Sequence, residues 1–227
     1  MMAGDLPLMI FAAGFGSRMG ALTRDRPKPM VDVAGRPLID HALALANGAG
    51  IARIVVNTHY RPEPLERHLA DRGVMISREE PEILDTGGGL RQALPLLGAE
   101  TVYTLNSDIV WTGPNPLAAL ARHWRPGMGA LMMLAEPGRI HGRDGPGDFA
   151  RAADGRLTRG GDLVYTGAQI IDASAIHAVS ERVFSVARLW DEFAANGRLF
   201  GIVHPGHWVD AGHPGGIAAA EALRLDV

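Results

Sequence analysis

A short apolar run, Leu8-Met9-Ile10-Phe11-Ala12-Ala13, passes directly into Gly14-Phe15-Gly16. Such a run, bounded by a turn signal, predicts a strand buried on both faces. Glycines at its carboxyl end permit positive φ and let backbone N–H groups approach a ligand with no Cβ in the way. A turn of this kind after a strand is an anion cradle. Arg18, and then Lys28 in Arg26-Pro27-Lys28-Pro29, bring two cations to the same edge. Strand, turn and cations together suit a nucleoside triphosphate. Two other phosphate motifs are ruled out. No Gly-Lys-Ser/Thr follows, and the only G-x-G-x-x-G trace ends on Met19.

Periodicity along the chain supplies the frame. Val31 to Leu38 reads as a short strand and turn. Pro37 then starts a helix over Leu38 to Ala49, with Leu38, Ile39, Ala42, Leu45 and Ala46 at helical spacing. Gly48 and Gly50 end it. Ile51 to Thr58 predicts a buried strand, Pro64 to Arg72 a polar helix, and Val74 to Ile76 a strand. Gly87-Gly88-Gly89 opens a helix running through Leu97. Thr101 to Leu105 is the next strand, ending at Asn106-Ser107-Asp108. This alternation predicts a parallel, doubly wound α/β sheet with its ligand at the carboxyl ends of the strands. Later come a helix over Leu117 to His123 and a strand over Ala130 to Ala135. Residues 136–162, rich in Gly, Arg and Asp, suggest a loop and hairpin over one face. A strand over Leu163 to Ile171, a helix over Ser185 to Asn196, a strand over Leu199 to His204 and a final helix over Gly215 to Leu225 complete the reading. No linker separates the halves.

Composition narrows the function classes. With 227 residues, 47% of them hydrophobic, the chain can bury one sizeable core. Its 22 basic and 25 acidic residues form no basic stripe, which argues against a nucleic-acid partner. The absence of cysteine excludes disulfides and thiolate metal sites. No apolar run approaches the roughly 18 residues of a membrane span. Met1 to Pro7 lacks a basic stretch and carries Asp5, against a signal peptide. The expectation is a cytoplasmic protein with no membrane partner.

Two carboxylates stand out. Asp108 ends a predicted central strand, where it either faces the cleft or makes a turn or helix cap. Asp210, in Trp208-Val209-Asp210-Ala211-Gly212-His213-Pro214, either caps the last helix or joins Asp108. A triphosphate site usually needs Mg²⁺, and two carboxylates are a suitable pair of ligands. His204, His207 and His213 around Asp210 leave a zinc site open, although no helix holds the His-x-x-His pair on one face. Ser17 and Ser107 lack triad partners, against nucleophilic hydrolysis. Trp111, Trp124, Trp190 and Trp208 read as packing residues.

Ala12-Ala13-Gly14-x-Gly16-x-Arg18-Met19, followed by Pro27-Lys28-Pro29, resembles the signature of the sugar-1-phosphate nucleotidylyltransferases. Asn106-Ser107-Asp108 resembles that family's Asn-Gly-Asp, with Ser107 in place of Gly. Trp208 to Pro214 resembles its Trp-x-Asp-Val-Gly-Thr-Pro, with Ala211 and His213 as departures. Glu79 to Gly89 looks like the Leu-Glu-Thr-x-Gly-Gly segment of the uridylyltransferases acting on N-acetylmuramate 1-phosphate. The four motifs occur in family order over nearly the whole chain.

The resemblance implies the nucleotide-diphospho-sugar transferase fold, a Rossmann-like doubly wound mixed sheet in a single domain over 1–227. Its nucleotide side would lie within about 1–115 and its sugar side within about 116–227. It also implies roles. Arg18 and Lys28 would be catalytic, and Asp108 and Asp210 would hold Mg²⁺. Ala12, Ala13, Gly14, Gly16 and Ser17, with Arg18 and Lys28, would hold the nucleotide's phosphates, and Glu80, Asp85, Thr86 and Gly87 its base. Relatives read the base with a Gln where this chain offers Glu79 or Glu80. A carboxylate accepts from uracil N3–H but cannot donate to a carbonyl. Asn106, Gly147, Asp148, Tyr165 and Gly167 would face the sugar.

The implied activity transfers UMP from UTP to a sugar 1-phosphate, first N-acetylmuramate α-1-phosphate, with release of pyrophosphate. That would serve cell-wall sugar recycling. Glucose or mannose 1-phosphate with UTP, GTP or CTP, and a non-catalytic sugar-nucleotide sensor, are the alternatives. A monomer and a weak dimer both remain open.

Overall fold

The computed structural model describes residues 3–223. Met1, Met2 and the end of the predicted last helix, Arg224 and Leu225, lie outside the described residues. Seven of the described strands form the main sheet: β1 (Leu8–Phe11), β2 (Ile54–Thr58), β3 (Val74–Arg78), β4 (Thr101–Asn106), β5 (Ala130–Ala135), β6 (Val164–Asp172) and β7 (Leu199–Val203). Their spatial order is β7-β5-β6-β4-β1-β2-β3.

β1 is an interior strand, parallel to its neighbours β2 and β4. Leu8 and Ile10 join one apolar cluster with Ile39 and Leu43 of α1 (Leu38–Gly48) and Leu117 of α4 (Pro116–His123). Met9, between them, joins the opposite cluster with Leu90 and Leu97 of α3 (Asp85–Leu97). Helices therefore cover both faces, which is why the strand is apolar without alternation. α2 (Pro62–Leu69) and α5 (Ala187–Ala195) complete the layers, and α6 (Pro214–Ala222) closes the described chain.

The sheet is mixed. β6 runs antiparallel to both β4 and β5, while β7 is parallel to β5. The parallel arrangement that strand–helix alternation predicts holds for β1 to β4, and the mixed sheet that the resemblance implies arises in the later half for a topological reason. Between β5 and β6 the chain makes a loop and a hairpin (Phe149–Arg151 with Leu157–Arg159) instead of a crossover helix, so β6 returns antiparallel. The register of β6 shifts between Tyr165 and Gln169, with Gly167 at φ 81° inside the irregularity. Such a bulge re-aims side chains, here toward the carboxyl edge of the sheet.

A separate small sheet aligns three short strands. Trp208–Asp210 pairs antiparallel with Ile109–Trp111 and parallel with Ile140–His141. Its register sets Asp210 opposite Ile109, the residue after Asp108. Two carboxylates 102 positions apart are joined by this ribbon, and Ala211 N donates to Asp108 O at 2.9 Å.

Candidate active site

β1 stops at Phe11, not at Ala13, because the backbone leaves the ladder: Ala12 N donates to Asn57 Oδ1 at 2.7 Å. Among the described residues, Gly14, Phe15 and Gly16 donate no backbone hydrogen bond within the protein. Their amides are therefore available to an anion, which suits a phosphate cradle. Gly16 has φ 66°, and a Cβ there would come within 2.9 Å of Thr23 Cγ2, so only glycine suits the position.

The two predicted cations meet the two predicted carboxylates. Lys28 Nζ donates to Asp108 Oδ2 at 2.5 Å, and Arg18 Nη1 donates to Asp210 Oδ2 at 2.9 Å. Arg18 Nη2 also lies 3.9 Å from Asp108 Oδ2. Hydrogen bonding to Asp210 raises the Arg18 pKa above its ordinary value. Gly212 sits against this cluster. A Cβ there would fall 2.6 Å from Asp108 Oδ2, 2.7 Å from Arg18 Nη2 and 2.8 Å from Asp210 Oδ1.

Both departures from the family motifs are accommodated. Ser107 Oγ donates to Phe11 O at 2.7 Å, tying the end of β4 to the end of β1. His213 Nδ1 accepts from Gly216 N at 3.3 Å, capping α6 as a Thr would, and Nε2 donates to Gly142 O. The remaining histidines go elsewhere. His204 bonds Thr112 O, and His207 bonds His141. Among the described residues no three His, Asp or Glu come together as metal ligands, so the zinc constellation does not form.

Two cavities flank the cluster. One, of about 210 Å³, is lined by Ala12, Ala13, Gly14, Lys28, Asp85 and Thr86, together with Asn57 and Glu79. The other, of about 410 Å³, is lined by Asp148, Tyr165 and Gly167 and by Arg18 and Asp210. Asn106 and Asp108 line both. Gly167 makes room for Asn106, since a Cβ there would come within 2.9 Å of its side chain.

Several expected contacts fall elsewhere. Gly16 and Ser17 line neither cavity. Glu80 points outward, 70% exposed, toward Arg78. The buried carboxylate in this segment is Glu79, 0% exposed. It accepts from Asn57 Nδ2 at 2.6 Å and Leu84 N at 2.7 Å, so both of its oxygens are engaged by the protein. Burial nonetheless raises its pKa.

Gly87 and Gly88 both donate their N–H to Phe184 O, at 2.9 and 3.1 Å, and are not open to a base. The three glycines are packing positions instead. Added Cβ atoms would collide with Phe184, Arg182 O and Glu79 respectively. Gly147 belongs to a neighbouring cavity, where a Cβ would strike Asp162.

Asp148 lines the larger cavity but forms a two-pronged pair with Arg143 at 2.7 and 2.9 Å and accepts from Tyr165 N. Burial raises the pKa of Tyr165. Its ring is set edge-on to Trp190, also a lining residue, with centroids 4.8 Å apart. Asn57, Arg143, Arg159 and Trp190 are cavity residues that motif reasoning leaves out.

Two carboxylates side by side supply the hard oxygen ligands that Mg²⁺ takes, with phosphate and water oxygens completing its shell. The donor set of Asp108 and Asp210 fits that ion.

Comparison with known proteins follows the same lines. The profile of the MobA-like NTP transferase domain matches residues 8–224. The chain is 38% identical to the N-acetylmuramate alpha-1-phosphate uridylyltransferase of Caulobacter vibrioides, over 94% of this chain and 95% of that one. It is 34% identical to the Neisseria meningitidis protein of the same name, over 95% and 96%. A probable mannose-1-phosphate guanylyltransferase 3 of Oryza sativa is 29% identical, and this chain spans 64% of it. The crystal structure of HddC from Yersinia pseudotuberculosis complexed with GMP-PN superposes with a TM-score of 0.75 at 19% identity, over 96% of this chain and 99% of that one. That likeness concerns the fold.

Proposed function

Since the chain belongs to the MobA-like NTP transferase family, as a sugar-1-phosphate nucleotidylyltransferase, we propose that it forms a UDP-sugar and pyrophosphate from UTP and N-acetylmuramate α-1-phosphate. The observation that carries the reading is the Lys28–Asp108 pair at the junction of two cavities that share Asn106 and Asp108. Two substrates bound in adjoining cavities would meet there. The smaller cavity, next to the open Gly14–Gly16 amides, takes the nucleotide, and the larger takes the sugar. The uridylyl and muramate assignments draw on the two relatives that match nearly end to end at 34% identity or more.

The chemistry is one in-line displacement. An oxygen of the sugar phosphate forms a bond to the α-phosphorus of UTP as the bond from that phosphorus to the pyrophosphate oxygen breaks. The attacking phosphate is already anionic at neutral pH, so no side chain need remove a proton. Catalysis is then positioning and charge neutralisation. Arg18 and the glycine-turn amides hold the β- and γ-phosphates. Lys28 neutralises charge on the α-phosphate and the incoming phosphate, exchanging Asp108 for them. Asp108 and Asp210 would hold Mg²⁺, which when bound would reduce repulsion between the two phosphates. The base lies against Ile83, Asp85 and Thr86, which line the smaller cavity, since both oxygens of Glu79 are engaged by Asn57 and Leu84.

The test is pyrophosphate release in Mg²⁺, crossing four nucleoside triphosphates with the 1-phosphates of N-acetylmuramate, N-acetylglucosamine, glucose and mannose. Release with UTP and the muramate is expected. Release with GTP and mannose 1-phosphate would replace the substrates and keep the mechanism. Nucleotide binding without release from any pair would turn the reading to a sensor.

A further inference from the structure

The charges on the wall of the larger cavity are matched within the site, with one exception. Arg18 pairs with Asp210, Arg143 with Asp148, and Asp108 with Lys28 across the shared wall. Arg159 differs. Its carboxylate partner, Asp191, stands on α5 and does not line the cavity. Of the three arginines on this wall, Arg159, on the hairpin, is the one whose carboxylate partner stands outside the cavity.

That guanidinium is held in place. Its Cζ lies 4.9 Å from the ring centre of Phe149 and 5.4 Å from that of Trp190. Trp190 is fixed in turn, because its Nε1 donates to Gln169 Oε1 at 3.0 Å and Gln169 Nε2 donates to Thr104 Oγ1 at 3.1 Å. Nε and Nη2 of Arg159 are directed to Asp191 and to Ala187 O. Nη1 donates to no group among the described residues. The Arg159–Asp191 pair is 43% and 65% exposed, so it is weak and easily shared with a second carboxylate.

We infer that Arg159, on its Phe149–Trp190 platform, reads an acidic substituent of the sugar. The argument rests on the larger cavity being the sugar side. A sugar 1-phosphate anchored by its phosphate at Lys28 extends its ring into the cavity, where Arg159 is the arginine with a free Nη1 and a partner outside the wall. A carboxylate there would form charge-assisted hydrogen bonds with a planar donor already fixed by stacking. N-acetylmuramate carries such a group, an ether-linked carboxylate. N-acetylglucosamine is the same sugar without it. Arg159 is thus a specificity-determining residue that selects acidic over neutral sugar 1-phosphates.

The experiment compares kcat/KM for these two sugar 1-phosphates with UTP, in the wild type and in Arg159→Met and Arg159→Lys. The wild type should prefer the acidic sugar. Arg159→Met should lower that preference by roughly tenfold or more, the scale of losing a hydrogen bond to a charged group, through KM for the sugar. Arg159→Lys should restore part of it, because charge is retained and the planar fork is not. A wild type with no preference for the acidic sugar would overturn the muramate assignment and this inference together. A preference that survives intact in Arg159→Met, or a loss falling equally on both sugars, would overturn the inference alone.

Discussion

Lys28 and Asp108 form a 2.5 Å ion pair at the point where the two cavities join. Each neutralises the other, and their side chains are only 18% and 10% exposed. Lys28 is therefore already desolvated and aimed where phosphate charge would be placed. Replacing either partner removes one charge and leaves the other without its match. Lys28→Ala and Asp108→Ala should each lower kcat/KM by roughly 10²-fold or more, the scale of losing a transition-state charge partner. Steady-state pyrophosphate release decides it. Turnover within about threefold of wild type in both variants would refute the assignment.

Gly212 belongs to the same cluster, although it carries no functional group. An added methyl would meet Asp108, Arg18 and Asp210 at once, each closer than 3.0 Å. Gly212→Ala should therefore lower kcat/KM by about tenfold or more, by spreading groups whose placement drives the reaction. The effect on thermal unfolding should be small by comparison, because the displaced side chains border a cavity. Unchanged kinetics in a normally folded Gly212→Ala would show that the cluster tolerates expansion.

Glu79 ties two loops together. One oxygen accepts from Leu84 N, at the entry to α3, and the other from Asn57, which in turn accepts from Ala12 N at the glycine turn. In Glu79→Gln an amide NH₂ must face one of these donors, leaving a buried N–H unmatched. The expected cost is about 1–3 kcal/mol, or a fall in Tm of about 2–10 °C for a chain of this size. KM for the nucleotide should rise as well, because both loops line its cavity. A variant melting with the wild type would show that the tie contributes little.

The frame was legible because its signals are local. A buried strand, a glycine turn and helical spacing each follow from neighbouring residues, so β1, α1 and the edge that carries Asp108 could be placed from sequence. The meeting of Asp108 with Asp210 was not local. It depends on the register of Trp208–Asp210 against Ile109–Trp111, and only the motif resemblance pointed to it.

The sequence offers Glu79 and Glu80 side by side, and the resemblance points to Glu80 for the base. The fold separates them: Ser77 is buried and Arg78 exposed, which puts Glu79 on the buried side, and the apolar run Val74-Met75-Ile76 gives no alternation from which to read this. The three glycines read as an open helix start, but Phe184, from a distant segment, occupies the N–H groups of Gly87 and Gly88. Arg159 and Trp190 could not be assigned to the site, because a hairpin and a helix meet there only in the folded chain.

His204 gives the protein a pH-dependent stability. Its Nε2 donates to Thr112 O at 2.8 Å, which fixes the neutral tautomer, and Nδ1 is buried with no partner among the described residues. The ring also lies edge-on to Trp111 with centroids 4.9 Å apart. Protonation would place a charge on a desolvated nitrogen near Arg139 and His207. Burial, first, and these neighbours lower the pKa below the ordinary 6.5. The unfolded chain therefore takes up a proton before the folded one does. The stabilisation is complete above about pH 6.5 and is lost as pH falls below it. For one such group the loss between pH 7 and pH 5.5 is at most about 1.3 kcal/mol. His204→Gln keeps an N–H donor toward Thr112 and removes the titration. Its Tm should fall less than that of the wild type over this interval, while His41 and His141, also lowered by burial, continue to titrate in both proteins. Parallel Tm profiles for the two proteins would mean that His204 accepts its proton without cost.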